Sequence, residues 1–165
     1  MTDKQRRAID KIISAIPADT RRPFMEAAEY AMNLGYMPVL KGAKETYVDF
    51  IKTKINKIIM KIDVDPKFPA RIAVQFYALP EYTGIFKQAV EDRVDLLKNM
   101  GYEAGCYKCG KCDGAVGYKF DYSASKTGFM CGRGVVTLPS FGADNLTEVK
   151  AALKIQDDHF MGVAR

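Results

Sequence analysis

Two neighbouring stretches of this chain alternate apolar and polar residues, and a turn separates them. Ile58, Met60, Ile62 and Val64 alternate with Lys57, Lys61 and Asp63. Beyond Asp65-Pro66-Lys67-Phe68-Pro69, the residues Ile72, Val74 and Phe76 alternate with Arg71 and Gln75. A period of two sends successive side chains to opposite faces, so each stretch reads as a strand with one dry face. The connection is too short for a parallel crossover, which leaves antiparallel pairing. Residues 46–52 read as a third strand. An antiparallel sheet with one buried face is thus expected in the middle of the chain.

Helical spacing flanks this sheet. Ile9, Ile12, Ile13 and Ile16 mark a helix over 3–16, with Thr2 or Asp3 as cap and Pro17 as its end. Phe24, Ala27, Ala28, Ala31 and Met32 mark a second helix over 21–34, capped by Asp19 or Thr20 and stopped at Gly35. The two form an expected αα-hairpin on one sheet face. A third helix is predicted over 81–100, with Pro80 and Glu81 in its first turn and Gly101 as its stop. A second hairpin follows: Val116, Tyr118, Phe120 and Tyr122 on one strand, then Ser-Ala-Ser-Lys-Thr-Gly, then a strand over 129–138. The last helix starts near Asp144 or Asn145, where Glu148 completes an Asn-x-x-Glu capping box. Its stripe is Leu146, Val149, Leu153 and Phe160. The expected order is α-α-β-β-β-α-β-β-α, a single α+β domain spanning residues 1–165. With 165 residues, 48% of them hydrophobic and 11% aromatic, the chain can bury a core without covalent staples, and disorder is excluded.

The four cysteines are therefore not required by size, and their spacing gives them another use. Cys106, Cys109 and Cys112 fall at repeated x-x spacing in a loop over 105–114, and Cys131 follows eighteen residues later. Two thiolates so spaced can grip one metal ion from a single turn, and Gly110 suits the tight backbone such a turn needs. The second hairpin can return Cys131 towards the loop, completing four soft ligands for a structural zinc. A ferredoxin-like iron–sulfur cluster uses a similar run, although no proline follows a ligand cysteine here. Thiols without metal are the third reading. They include a redox dithiol activated by Lys108 and Lys111, although the motif follows a helix rather than a strand. Four thiolates would close the coordination sphere, so the reading leans away from an enzyme and assigns no catalytic residue.

Charge and compartment frame these readings. Asp10 and Lys11 interrupt any apolar run of signal-peptide length, and no stretch reaches the roughly 18 apolar residues of a membrane span. A cytoplasmic, reducing location is expected, with no membrane partner. Net charge is +5, and it is uneven. Lys41, Lys44, Lys52, Lys54, Lys57 and Lys61 outnumber Glu45 and Asp49 in one segment. Such a strip could contact nucleic acid or another anion. The plainer reading is a solvated strand face with a lysine-rich turn, since edge strands use lysine against aggregation.

Two further groups of residues carry alternative readings. Tyr77, Tyr82, Tyr118, Tyr122 and Phe129 could line a pocket for a flat apolar ligand, or could simply be core. His159, the only histidine, reads as a boundary residue near a helix C-terminus, where positive charge is favoured. Its functional alternatives are a metal ligand or a base. Gly132-Arg133-Gly134 is too short for a phosphate loop.

Cys106-Tyr107-x-Cys109-x-x-Cys112, followed by Cys131-Gly132 and Pro139-Ser140-Phe141, resembles the pattern of a group of small bacterial proteins over residues 20–161. The chain is also distantly similar to DUF1801-type domains, which usually lack the cysteines. The resemblance implies an α+β architecture and transfers no activity. The sequence thus points to a zinc-containing module that binds a small molecule or a protein.

Overall fold

The computed structural model describes residues 1–102, 117–123 and 126–163. The chain opens with α1 (Asp3–Ser14) and α2 (Arg21–Asn33). Thr2 caps α1: its hydroxyl accepts from the Gln5 N–H, and the Gln5 side chain accepts from the Thr2 N–H. At Thr20 no side-chain cap forms; the Thr20 hydroxyl donates to the Pro17 carbonyl instead. The Arg21 guanidinium donates to the carbonyls of Ser14 and Ile16 at the end of α1, which fixes the turn between the helices. Gly35 follows α2 at φ +89°, where a side chain would be strained.

Four strands come next: β1 (Met37–Lys41), β2 (Tyr47–Lys52), β3 (Lys57–Asp63) and β4 (Arg71–Val74). The chain then leaves the sheet through α3 (Gly84–Asn99). A separate antiparallel hairpin follows, made of β5 (Gly117–Ser123) and β6 (Lys126–Cys131). It returns as β7 (Val136–Thr137) and ends in α4 (Leu146–Phe160). The main sheet is antiparallel and ordered β1-β2-β3-β4-β7. The α+β class is as expected, and the order is α-α-β-β-β-β-α-β-β-β-α.

One sheet face carries the core. Val48, Ile62 and Ile72 form one row across the strands; Phe50, Met60, Val74 and Val136 form the next. All seven are at most 4% exposed, so each contributes about 1.5–3 kcal/mol through burial. Ile12, Phe24, Ala27, Ala31, Phe86, Val149 and Leu153 from the four helices, and Ile16 from the turn after α1, belong to the same cluster. No helix among the described residues is long and apolar enough to cross a membrane.

Several boundaries differ from the sequence reading, each for a physical reason. β1 was not anticipated, because Pro38 interrupts its pattern; it lies at the sheet edge, where proline is tolerated. Lys52, Lys57 and Lys61 lie on the interior strands β2 and β3, where edge protection does not explain them, whereas Lys41 ends the edge strand β1. Ile58 and Ile59 cannot both obey a period of two. A bulge pairs Phe50 with Met60 and Ile51 with Ile58, leaving Ile59 as the extra, fully buried residue. The strand expected over 129–138 is two strands in two sheets, divided after Cys131. The first strand of that pair begins at Lys126, inside the expected turn. Pro80 and Glu81 precede α3 rather than opening it. Asn145 is the N-cap residue of α4, as expected, but its side chain makes no capping bond to the helix. Its side-chain oxygen accepts from the Gly142 N–H in a preceding 3-10 turn, and Glu148 accepts from the Thr83 hydroxyl at 3.4 Å.

Candidate functional site

The β5–β6 hairpin joins the body of the protein through close packing and a few polar contacts. Tyr118 of β5 is fully buried, and its ring lies against Phe76 at 4.8 Å and Tyr77 at 5.9 Å. Its hydroxyl accepts from the Phe76 N–H at 3.3 Å. Burial holds that hydroxyl well above the usual tyrosine pKa, the Phe76 amide pulls it down, and nearby Tyr82, Tyr77 and Cys131 push it further up. At the base of the hairpin, Cys131 pairs with Gly117. A side chain on Gly117 would meet the Met130 carbonyl at 2.2 Å, and one on Gly132 would meet the Tyr77 ring at 2.7 Å and Gly117 Cα at 2.9 Å. Glycine is therefore required at both positions by close approach. The buried Gln75 side chain donates from Nε2 to the Gly132 carbonyl at 2.9 Å, tying β4 to the residue after Cys131.

Between this hairpin and α3 runs a groove of about 830 Å³. Tyr77, Tyr82, Val90, Val94 and Phe120 supply its apolar lining. The Tyr82 hydroxyl donates to the Tyr77 carbonyl at 3.4 Å. Burial raises the pKa of Tyr82, and the nearby Lys119 backbone partly offsets this. The Tyr77 pKa is likewise raised by burial. The Gln156 side-chain amide lies near enough to pull it back, although Gln156 Nε2 reaches no partner in hydrogen-bond geometry.

The aromatic residues singled out in the sequence divide between core and groove. Tyr77 and Tyr82 line the groove, and Tyr118 is core beside them. Phe129 is half-buried on β6, and its ring lies over Gly117. The side chain of Tyr122 lies outside the described residues. So do Cys106, Cys109 and Cys112 of the cysteine set, whereas Cys131 is half-buried at the end of β6. His159 is exposed in the last turn of α4, its ring 5.3 Å from Tyr77.

The six lysines do not share one patch. Lys41 and Lys44 sit at the β1–β2 connection, while Lys52, Lys54 and Lys57 sit around the β2–β3 connection at the other end of β2. A strand of that length separates the groups by about 17–20 Å. Lys61 packs over the Tyr47 ring at 4.2 Å and lies 3.8 Å from Asp49. Burial raises the Asp49 carboxyl pKa against the opposing pull of Lys61 and Lys41. Lys57 lies over the Phe160 ring at 5.4 Å. Lys52 turns inward, where Asp157 Oδ1 accepts from Lys52 Nζ at 2.5 Å and from the Tyr36 hydroxyl at 2.9 Å. Burial, then the Asp157 bond, raises the Tyr36 pKa well above its ordinary value.

Sequence reasoning missed this Tyr36–Lys52–Asp157 cluster. The signal was present: Gln156 and Asp157 stand seven and eight residues after Val149, on the apolar stripe of α4. No protein-family model, curated protein or solved structure matches the chain.

Proposed function

We propose that the protein is a binding module for a small molecule, and that a four-thiolate zinc site fixes one wall of its binding groove. The observation that carries this reading is the double position of Gly117. It is the ladder partner of Cys131, and it lines the groove. It also stands only five residues after Cys112. A metal held by Cys106, Cys109, Cys112 and Cys131 would tie down the base of β5 and β6 and so hold the hairpin at its set distance from α3. Zinc bound by four thiolates has no open position, so its contribution would be structural. The volume of the groove falls within the range of sites for small organic ligands, about 300 to 1,000 Å³.

Nucleic-acid binding is less well supported, because Lys52 and Lys61 are engaged by Asp157 and Asp49 and the other four lysines are split between two ends of the sheet. Metal analysis of the purified protein tests the proposal. The expected result is about one zinc per chain, lost in Cys131→Ser. Four titratable thiols with no metal would overturn it. Iron with sulfide, and a brown colour, would replace zinc by a cluster.

A further inference from the structure

From the charges around the groove we infer its ligand class: a small aromatic zwitterion, of the size and type of an aromatic dipeptide. The inference rests on the groove reading above and goes beyond it. The floor offers rings rather than hydroxyls. The Tyr82 hydroxyl donates to the Tyr77 carbonyl at 3.4 Å, and the buried Tyr118 hydroxyl accepts from the Phe76 N–H. What remains for a ligand is the half-buried aromatic surface of Tyr77, Tyr82 and Phe120, suited to a ring.

The polar lining is balanced in sign. Asp95 and Lys98 pair with each other at 3.6 Å. Glu81, Lys87, Glu91 and Lys119 line the groove and form no ion pair with any described residue. Lys87 and Glu91 stand one turn apart on α3, Lys119 stands on β5, and Glu81 lies in the segment before α3. Two cations and two anions around an aromatic floor complement a ligand carrying one charge of each sign. A polyanion would meet Glu81 and Glu91, and a cation alone would meet Lys87 and Lys119, so like-charge contacts disfavour both.

The experiment is an amide-resolved NMR titration of the full chain with phenylalanyl-phenylalanine, its N-acetyl form and its C-terminal amide. The expected result is shifts centred on Tyr82, Lys87, Glu91, Lys119 and Phe120. Binding of each blocked form should be about two- to fivefold weaker, the effect of losing one solvent-accessible ion pair. Glu91→Lys should weaken the free dipeptide and the C-terminal amide while sparing the N-acetyl form. Lys119→Glu should weaken the free dipeptide and the N-acetyl form while sparing the amide. Both side chains are exposed and unpaired, so both variants should fold. Equal binding of all three peptides at the groove would overturn the zwitterion assignment and leave the groove reading standing. Shifts absent from the groove with every peptide, and with a neutral aromatic probe such as indole, would overturn both.

Discussion

The five-stranded sheet and the β5–β6 hairpin are held by different means. In the sheet, Val48, Phe50, Met60, Ile62, Ile72, Val74 and Val136 form an almost wholly buried apolar surface under the helices. Among the described residues the hairpin adds Tyr118 and Met130 to that core, with Phe120 packed against it, and it is further joined by the close approach of Gly132 to the Tyr77 ring and a hydrogen bond from Gln75 to the Gly132 carbonyl. Apolar burial is cumulative and tolerant of detail, whereas close backbone approach depends on a few exact positions. The sheet should therefore withstand changes that release the hairpin.

The largest effect is expected where the sheet itself is struck. Phe50→Ala removes a fully buried ring between Met60 and the helices and should cost about 3–5 kcal/mol of global stability, read by denaturant unfolding. A loss confined to the hairpin would break the comparison. Next is the buried polar cluster on the same side of the molecule. Asp157→Ala leaves Lys52, 14% exposed, without its partner and should cost about 3 kcal/mol, the lower end for a broken buried pair. Lys52→Met should cost less, since Asp157 keeps the Tyr36 hydroxyl. Equal losses in the two variants would contradict this asymmetry.

Gly132→Ala tests the hairpin directly. A methyl group there meets the Tyr77 ring and the Gly117 backbone, so the expected cost is about 1–3 kcal/mol. Hydrogen exchange should quicken in β5 and β6 while β2 and β3 stay protected. The smallest effect should appear at alkaline pH, where each region contributes one buried tyrosine. Tyr36 and Tyr118 both have folded pKa values raised above the ordinary 10.0. The unfolded chain then releases protons that the folded chain keeps, so stability is full below pH 10 and falls as pH rises above it. Tyr36→Phe and Tyr118→Phe should each make that fall shallower in unfolding measured across pH 9 to 11.

The sheet was legible in the sequence because its buried face repeats every second residue in β3 and β4. Legibility failed where one residue broke the rule: Pro38 hid β1, and the Ile58-Ile59 pair hid the bulge. The hairpin was visible as a hairpin, but its join was not. The need for glycine at 117 and 132 arises from Met130 and Tyr77, which only the fold brings close. Tyr36 from the link before β1, Lys52 from β2 and Asp157 from α4 are more than a hundred residues apart at the extremes, and only the α4 stripe hinted that Asp157 is buried. Among the candidate site residues, the sequence brought Tyr77 and Tyr82 to notice. It gave no sign that α3 would supply the opposite wall of a groove.

The most direct test is hydrogen exchange on the purified protein before and after treatment with a metal chelator. If the proposed four-thiolate zinc secures the hairpin while apolar burial secures the sheet, protection falls in residues 117–131 and holds in β2 and β3. Unchanged protection in the hairpin, or a loss spread evenly over both regions, would contradict this account.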